Sequence, residues 1–136
     1  MELKAIPTKD QDGKPNGYVL PIWNNTTDTY QPHQLYLTTI NVGCAKGPHL
    51  HMRRAGRFVC IRGDIVVVTR TLHTYTEQRS GDAAGYHIID VPPGMACLLV
   101  NVGLSEALVL NTPNPAWRPD DQDDVPVIGW AYQPHA

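Results

Sequence analysis

Short segments rich in β-branched and aromatic residues recur along this chain at a spacing of roughly ten residues, and turn signals close each of them. Turn clusters such as Asp10–Gly17 and Pro92–Gly94 separate the segments. No window of about ten or more residues carries a helical period of 3.6 together with capping residues. The pattern therefore predicts an all-β fold, either a sandwich or a barrel.

The predicted strands follow from these apolar segments and their flanking turns. They are Leu3–Ala5, Tyr18–Trp23, Gln34–Val42, a short segment around His49–His51, Arg57–Arg62, Ile65–Leu72, Tyr86–Val91, Ala96–Asn101 and Ala107–Asn111. Pro21 indicates an edge position for the second of these strands. We expect Arg57–Arg62 and Ile65–Leu72 to pair as a hairpin through Gly63-Asp64, and His73–Gly85 to contain a polar loop.

Composition narrows the function classes. The chain has 136 residues, a net charge of -2 and a pI near 6.3, a balance that gives no sign of a nucleic-acid-binding face. Its longest apolar runs are too short to cross a bilayer, and Met1–Lys4 has no signal-peptide core, so we expect no membrane partner. Three cysteines without a CxxC pair indicate a reducing compartment, and we expect a cytoplasmic protein.

Two histidines stand two residues apart in the central stretch, His49-Leu50-His51. Residues i and i+2 of a strand point to the same face, so the two imidazoles lie side by side, and Arg53 continues that face if the strand persists. Gly47 and Pro48 predict a short strand preceded by a turn. From these residues alone the pair can bind a metal, move protons or serve as interior polar groups.

The order of motifs resembles the cupin family. Gly43-x5-His49-x-His51 followed by Gly63 is similar to the first cupin motif, G-x5-HxH-x3,4-E-x6-G, and Gly85 through Asn101 is similar to the second, G-x5-PxG-x2-H-x3-N. The resemblance implies a single small jelly-roll barrel spanning residues 1–136. Its core would lie at about 33–111, with N-terminal strands in 1–32 and a tail in 112–136.

Two departures from the cupin pattern bear on metal binding. The glutamate position falls on Ala55 or Gly56, and the second-motif histidine position falls on Cys97. The cations Arg53, Arg54 and Arg57 also disfavour a divalent ion. We therefore expect no metal and no other cofactor, whereas a metal-dependent cupin enzyme with an unrecognised third ligand stays open as an alternative.

The stretch Lys46-Gly47-Pro48-His49-Leu50-His51 also resembles RG-x-HAHKK of the nucleotide-sugar cupins, the dTDP-4-keto-6-deoxyglucose 3,4-ketoisomerases and the related dTDP-4-dehydrorhamnose 3,5-epimerases. This RmlC-like group implies proton abstraction beside a sugar ketone, with a nucleotide-linked sugar as the partner. A neutral imidazole suits that step near neutral pH. We expect His49 as the base, with His51 and Tyr36 as donors to the enolate.

The same resemblance implies a set of binding residues. Basic side chains would hold the diphosphate. The expected substrate-binding residues are Lys46, Arg53, Arg57, Arg62, Cys97 and Asn101, with Arg70 as a further basic candidate. The nucleotide base would stack on an aromatic side chain, and the candidates are Trp23, Tyr30, Tyr36, Trp117 and Tyr132. The resemblance further implies a homodimer that pairs through Tyr18–Trp23, and the other alternative is a non-catalytic, sugar-binding cupin.

Overall fold

The fold is all-β, as predicted. The computed structural model describes residues 1–22, 33–120 and 122–132, and in these ranges it contains strands and no helix. The strands are β1 (Glu2–Leu3), β2 (Ile6–Lys9), β3 (Pro15–Val19), β4 (Tyr36–Ile40), β5 (Ala45–His51), β6 (Gly56–Arg62), β7 (Asp64–Thr71), β8 (Thr74–Gly81), β9 (Tyr86–His87), β10 (Ile89–Val91), β11 (Ala96–Asn101), β12 (Ala107–Asn111) and β13 (Asp124–Val125). The described residues include no helix able to cross a membrane.

Two antiparallel sheets form the body of the domain. One has the order β10-β6-β12-β4 and the other the order β13-β5-β11-β7-β8. Two short pairs, β2-β3 and β1-β9, flank them. The main core lies between the sheets, where Cys60 and Val109 from the four-stranded sheet pack with Val67 and Leu99 from the five-stranded one. Alternate residues of each strand supply this core, as the period of two requires.

Strands β7 and β11 of the five-stranded sheet are buried on both faces. On the face away from the main core, Val66, Val68, Leu98 and Val100 form a second apolar cluster. Partly buried aromatic side chains cover it, and they are Tyr75, Trp130 and Tyr132. This double burial explains why β7 and β11 read as continuous apolar runs and were predicted directly, since strands covered on both faces lose the apolar-polar alternation.

The predicted Gly63-Asp64 hairpin is wrong. β6 pairs with β10 and β12, whereas β7 pairs with β8 and β11 in the other sheet. Gly63 is the corner between the sheets, with φ of 80°, and a Cβ on it would lie only 3.0 Å from the Ala107 Cα. A glycine between two apolar runs thus marks a change of sheet here, which uses the same φ > 0 freedom as a tight turn.

The predicted polar loop in His73–Gly85 is also wrong over most of its length. Thr74–Gly81 forms β8, which pairs with β7 residue by residue from Thr71↔Thr74 to Asp64↔Gly81. Most of its side chains are exposed because β8 is the edge strand of the five-stranded sheet. An edge strand with polar residues on its exposed face lacks the apolar signal that identifies buried strands.

The remaining predicted strands exist with different bounds. β11 and β12 have the predicted ends, β4 is shorter than predicted, and Tyr86–Val91 divides into β9 and β10. Strand β3 ends at Val19 and pairs with β2, so the predicted Tyr18–Trp23 strand is shifted, and Trp23 lies outside the described residues. Strand β5 begins at Ala45, before the glycine and proline that were expected to form a turn.

A buried hydroxyl joins the two sheets and provides a stability test. Ser80 on β8 is fully buried, accepts the backbone N–H of Cys60 at 3.1 Å and donates to the His87 carbonyl at 2.8 Å. Replacing Ser80 with alanine leaves both groups without this partner, and we expect a loss of about 1–3 kcal/mol in the free energy of unfolding. Urea denaturation measures it. Ser105→Ala, on an exposed loop, is the control, and equal stability of both variants would contradict the role of the hydroxyl.

Candidate active site

Strand β5 presents its functional side chains through a bulge. Cys97 on β11 pairs with His49 on β5, and Leu99 pairs with Lys46. Two residues of β11 therefore lie opposite three residues of β5, so β5 carries one extra residue. In a regular strand, Lys46 and His49 would point to opposite faces. Because of the extra residue, the two side chains point to the same face of the sheet, and both line the same cavity. Gly47 makes the bulge possible, because a Cβ there would lie 2.8 Å from the Cys97 carbonyl oxygen.

The cavity lies between the two sheets and has a volume of about 300 Å³. Strands β4, β6, β10 and β12 supply one wall, while β5 and β11 supply the other. Its polar lining residues are Tyr36, Thr38, Lys46, His49, His51, Arg54, Cys97, Asn111, Trp117 and Asp124. A pocket of this size with a few convergent polar groups is the expected form of a small-molecule site.

The two histidines face the cavity together, which confirms the geometric prediction from their spacing. Their rings are stacked, with centroids 6.1 Å apart and planes inclined by 18°. Each has a different charged neighbour. His49 Nδ1 lies 3.4 Å from Asp124 Oδ2, whereas His51 Nε2 and Nδ1 lie 3.0 and 3.3 Å from the Arg54 guanidinium. The pair is thus divided into one ring beside an anion and one beside a cation.

Burial and the neighbouring Arg54 cation both favour the neutral form of His51. Burial lowers the pKa of His51 below 6.5, and the Arg54 cation lowers it further, against the opposing effect of Asp124. His51 is therefore neutral at neutral pH, and its ring can accept a hydrogen bond from Arg54, whose guanidinium has no acceptor. As the pH falls below about 6.5 the unfolded chain binds a proton that the folded chain resists, so this group then costs stability.

Tyr36 is held by a short side-chain network. Asn111 Nδ2 donates to the Tyr36 hydroxyl oxygen at 2.6 Å, and the Arg57 backbone N–H donates to Asn111 Oδ1 at 3.1 Å. The Arg57 N–H therefore sets the orientation of the amide. Because Asn111 donates to the phenol oxygen, the phenol hydrogen is available for an acceptor in the cavity. The network leaves Tyr36 suited to donate a proton.

The positions where cupins place further ligands carry other chemistry here. Gly56 lines the cavity, and a Cβ on it would lie 2.6 Å from the Phe58 ring, which fills the space of a longer side chain. Cys97 is buried opposite His49, and burial raises the pKa of its thiol to about 11. Over the described ranges no group of three or more His, Cys, Asp or Glu is arranged to hold a metal ion.

Several residues predicted to bind substrate lie outside the cavity lining. The Arg57 side chain pairs with Asp90 at 2.7 Å, and the Arg53 side chain is 65% exposed with Asp123 3.6 Å away. Arg62 is exposed at the end of β6, and Asn101 is buried with its amide bonded to the carbonyls of Ile40 and Ser105.

The secondary candidates, Arg70 and the predicted aromatic residues, have different outcomes. Arg70 and Tyr132 lie at the second apolar cluster, on the far face of the five-stranded sheet. Tyr30, like Trp23, falls outside the described residues. Of the aromatic residues predicted to stack on the nucleotide base, Tyr36 and Trp117 line the cavity.

Sequence reasoning missed four polar residues of the cavity lining, Thr38, Arg54, Asn111 and Asp124. Arg54 follows the end of β5 in a loop, where strand alternation gives no direction for a side chain. Asp124 belongs to an acidic run in the tail that reads as a solvated loop, yet β13 pairs with β5 through Asp124↔His51. The pairing of a two-residue strand far along the chain has no local signal.

The comparisons with known proteins agree with this architecture. The sequence model of the family described as polysaccharide biosynthesis C-terminal domain matches residues 23–125. No curated protein matches the chain in sequence. A dTDP sugar isomerase from Desulfovibrio desulfuricans G20 superposes with a TM-score of 0.78 at 20% identity, over 93% of this chain and 80% of that one.

Two further solved structures are similar in fold. A sugar 3,4-ketoisomerase from Thermoanaerobacterium thermosaccharolyticum in complex with TDP has a TM-score of 0.68 at 13% identity, over 92% of this chain and 85% of that one. The 3,5-epimerase RmlC from Legionella pneumophila Philadelphia 1, in complex with dTDP-4-keto-L-rhamnose, has a TM-score of 0.67 at 13% identity, over 88% and 67%. The chain therefore has the fold of RmlC-like cupins, as its motifs predicted.

Proposed function

We propose that this chain, which belongs to the polysaccharide biosynthesis C-terminal domain family, isomerises or epimerises a dTDP-linked 4-keto-6-deoxy sugar. The observation that carries this proposal is the pairing of a base and a cation in one cavity. His49 stands beside the Asp124 carboxylate, and Arg54 stands beside the neutral ring of His51. Proton abstraction next to a ketone needs these two kinds of group.

His49 is the proposed base. The Asp124 oxygen 3.4 Å from Nδ1 favours a ring with its hydrogen on Nδ1, which leaves Nε2 as the lone pair that takes the substrate proton. The carboxylate then offsets the positive charge that the ring gains. His49 is about half exposed and lines the cavity, so a sugar entering from solvent can reach it.

Arg54 is the proposed stabiliser of the enolate. When the C3–H bond of a 4-keto sugar breaks, its electron pair forms the C3=C4 double bond and the ketone pair moves onto O4. That oxygen then carries a negative charge, which a guanidinium held in place stabilises. Because the neutral His51 ring accepts from Arg54, it orients the cation rather than acting as the donor expected from the sequence.

The fate of the enolate decides between two products. Return of a proton to the same carbon on its other face inverts that centre, which is epimerisation. Protonation of O4, loss of the O3 proton and protonation at C4 together move the ketone to C3, which is ketoisomerisation. The Tyr36 hydroxyl, oriented by Asn111, is the proposed proton donor in either case. Neither path changes the oxidation level of the sugar, so the proposed reaction uses no redox cofactor.

The nucleotide is proposed to bind along the open side of the cavity. Lys46 Nζ is held by the Thr38 hydroxyl at 2.8 Å and supplies a cation for the diphosphate. Trp117 is 45% exposed at the cavity, and the Gln34 side-chain amide bonds both its backbone N–H and its carbonyl. A partly exposed aromatic side chain on a backbone held in this way is suited to stack on a base.

Incubation with dTDP-4-keto-6-deoxyglucose in D₂O tests the proposed reaction. We expect enzyme-dependent incorporation of deuterium into the sugar, because a carbon-bound proton must exchange through a base that is open to solvent between turnovers. An intact sugar nucleotide without deuterium, after incubation with protein that binds TDP, would support a sugar-binding cupin without this catalytic activity.

Binding of the nucleotide is a separate prediction. TDP should raise the melting temperature, with a stabilisation that grows as RT ln(1 + [L]/Kd). Lys46→Met should weaken TDP binding by roughly ten-fold, the loss expected for one charge-assisted contact to phosphate. Isothermal titration calorimetry measures it, and Lys9→Met on the exposed β2 strand is the control. Equal affinities of the two variants would place the diphosphate elsewhere.

A further inference from the structure

The loop that carries Arg54 is bound to the C-terminal tail through its backbone. Between β5 and β6 the chain crosses from one sheet to the other, and consecutive backbone N–H groups point at the tail. Met52 and Arg53 donate to Asp123 Oδ1 at 3.1 and 2.7 Å, and Arg54 donates to Asp123 Oδ2 at 2.8 Å. The next residue, Ala55, donates to the Asn114 carbonyl at 2.8 Å.

The carboxylate of Asp123 is placed for this purpose. Asp123 is 6% exposed, although Asp120 and Asp124 on either side of it in the tail are exposed. Burial alone would raise its pKa, but the N–H groups of Arg54 and Arg53 outweigh that effect, so the pKa of Asp123 lies below 3.8. A buried carboxylate that accepts three backbone N–H groups holds a loop more firmly than solvent-exposed contacts do.

We propose that Asp123 is a positioning residue, whose buried carboxylate fixes the 52–54 loop and thereby holds the Arg54 guanidinium against His51 in the cavity. Asp123 lines no part of the cavity and acts through Arg54. The tail would then supply two separate functions from adjacent residues. Asp124 faces His49 directly, while Asp123 orients the cation on the other side of the histidine pair.

Because of the charges around His51, the direction in which the His51 pKa changes can test the proposal. Arg54 and His49 lower the pKa of His51, whereas Asp124 and Asp123 raise it, with the direct effect of Asp123 the smallest of these. Tyr36, Lys46 and Cys97 are the other titratable groups that line the cavity. If Asp123 acted through its charge alone, its removal would lower the His51 pKa. If it positions Arg54, its removal releases the cation and raises the His51 pKa.

Histidine titration by NMR on Asp123→Asn measures this sign, with the His51 signal assigned by its loss in His51→Gln. We expect the His51 pKa to rise relative to the unmodified chain, and kcat for deuterium exchange to fall by about ten-fold or more because a misplaced group loses its effect on the transition state. Asp120→Asn, an exposed acid of the same tail, should leave both unchanged. A lower or unchanged His51 pKa in folded Asp123→Asn would overturn the proposal.

Two further variants separate positioning from folding. In an Arg54→Met background, Asp123→Asn should no longer raise the His51 pKa, since the cation through which it acts is gone. Asp123→Glu keeps the charge and lengthens the side chain, so a raised His51 pKa supports positioning, while an unchanged value contradicts it. Asp123→Glu also replaces Asp123→Asn as the test variant if Asp123→Asn does not fold. The proposal rests on the proposed function for the role of Arg54, but the titration uses no substrate and so fails or succeeds independently.

Discussion

His49→Asn is expected to reduce deuterium exchange into a 4-keto sugar nucleotide by about 10²–10⁴-fold, the usual contribution of a general base. Asparagine keeps the polar character and part of the volume of the side chain but cannot take a proton at neutral pH. The affinity for TDP should change little, since the proposed diphosphate contact is at Lys46. Rates of exchange measured by proton NMR in D₂O, with TDP affinity from calorimetry, give both quantities.

The matched control for this variant is His73→Asn, which lies in the exposed turn between β7 and β8. It should exchange at the rate of the unmodified chain. Because His49 is half exposed, its replacement should leave the melting temperature nearly unchanged, so that a lost rate reflects chemistry rather than unfolding. An exchange rate in His49→Asn within a factor of two or so of the control would assign the base to another group.

Arg54→Met is expected to lower kcat by about 10²–10³-fold, the range found when one donor to a developing oxyanion is removed. Methionine keeps an unbranched side chain in the loop after β5 but carries no charge. Loss of the guanidinium should also raise the pKa of His51, because this cation lowers that pKa in the folded chain. Steady-state kinetics and histidine titration by NMR measure the two effects on the same protein.

Arg79→Met, an exposed arginine on β8, is the control for loss of a surface cation. Arg54→Lys should retain part of the rate, since an ammonium supplies charge without the planar donor geometry of arginine. A raised His51 pKa with an unchanged kcat would mean that Arg54 lies near the histidine but does not act on the enolate. An increased KM with kcat preserved would instead make Arg54 a binding residue.

The parts of the fold that sequence reasoning predicted are those with strong local signals. β11 and β12 were predicted with their observed ends because buried apolar runs lie between turn residues. β8 was missed because an exposed edge strand carries few apolar residues, and the Gly63 corner was mistaken for a hairpin because a glycine with φ > 0 suits both. Which strands pair depends on contacts across the chain, and short segments do not encode them locally.

The candidate site divides in the same way. The spacing of His49 and His51 predicted their shared face, and the motif order predicted Cys97 at the site. That Cys97 pairs with His49 across β5 and β11 is known only from the structure. Arg53 was preferred over Arg54 by extending strand alternation beyond the end of β5, where it no longer holds. Asp124 lies at the site because the two-residue strand β13 pairs with β5, and no sequence pattern predicts that pairing.

The most direct test of the proposed reaction is the position of deuterium after metal-free, chelator-treated protein has acted on dTDP-4-keto-6-deoxyglucose in D₂O. We expect incorporation at a carbon next to the ketone at the untreated rate, and its loss in His49→Asn. Deuterium with inversion at C3 or C5 identifies an epimerase, and a ketone moved to C3 identifies a ketoisomerase. Exchange that disappears on metal removal and returns when a divalent ion is added would contradict proton transfer by His49 without a metal.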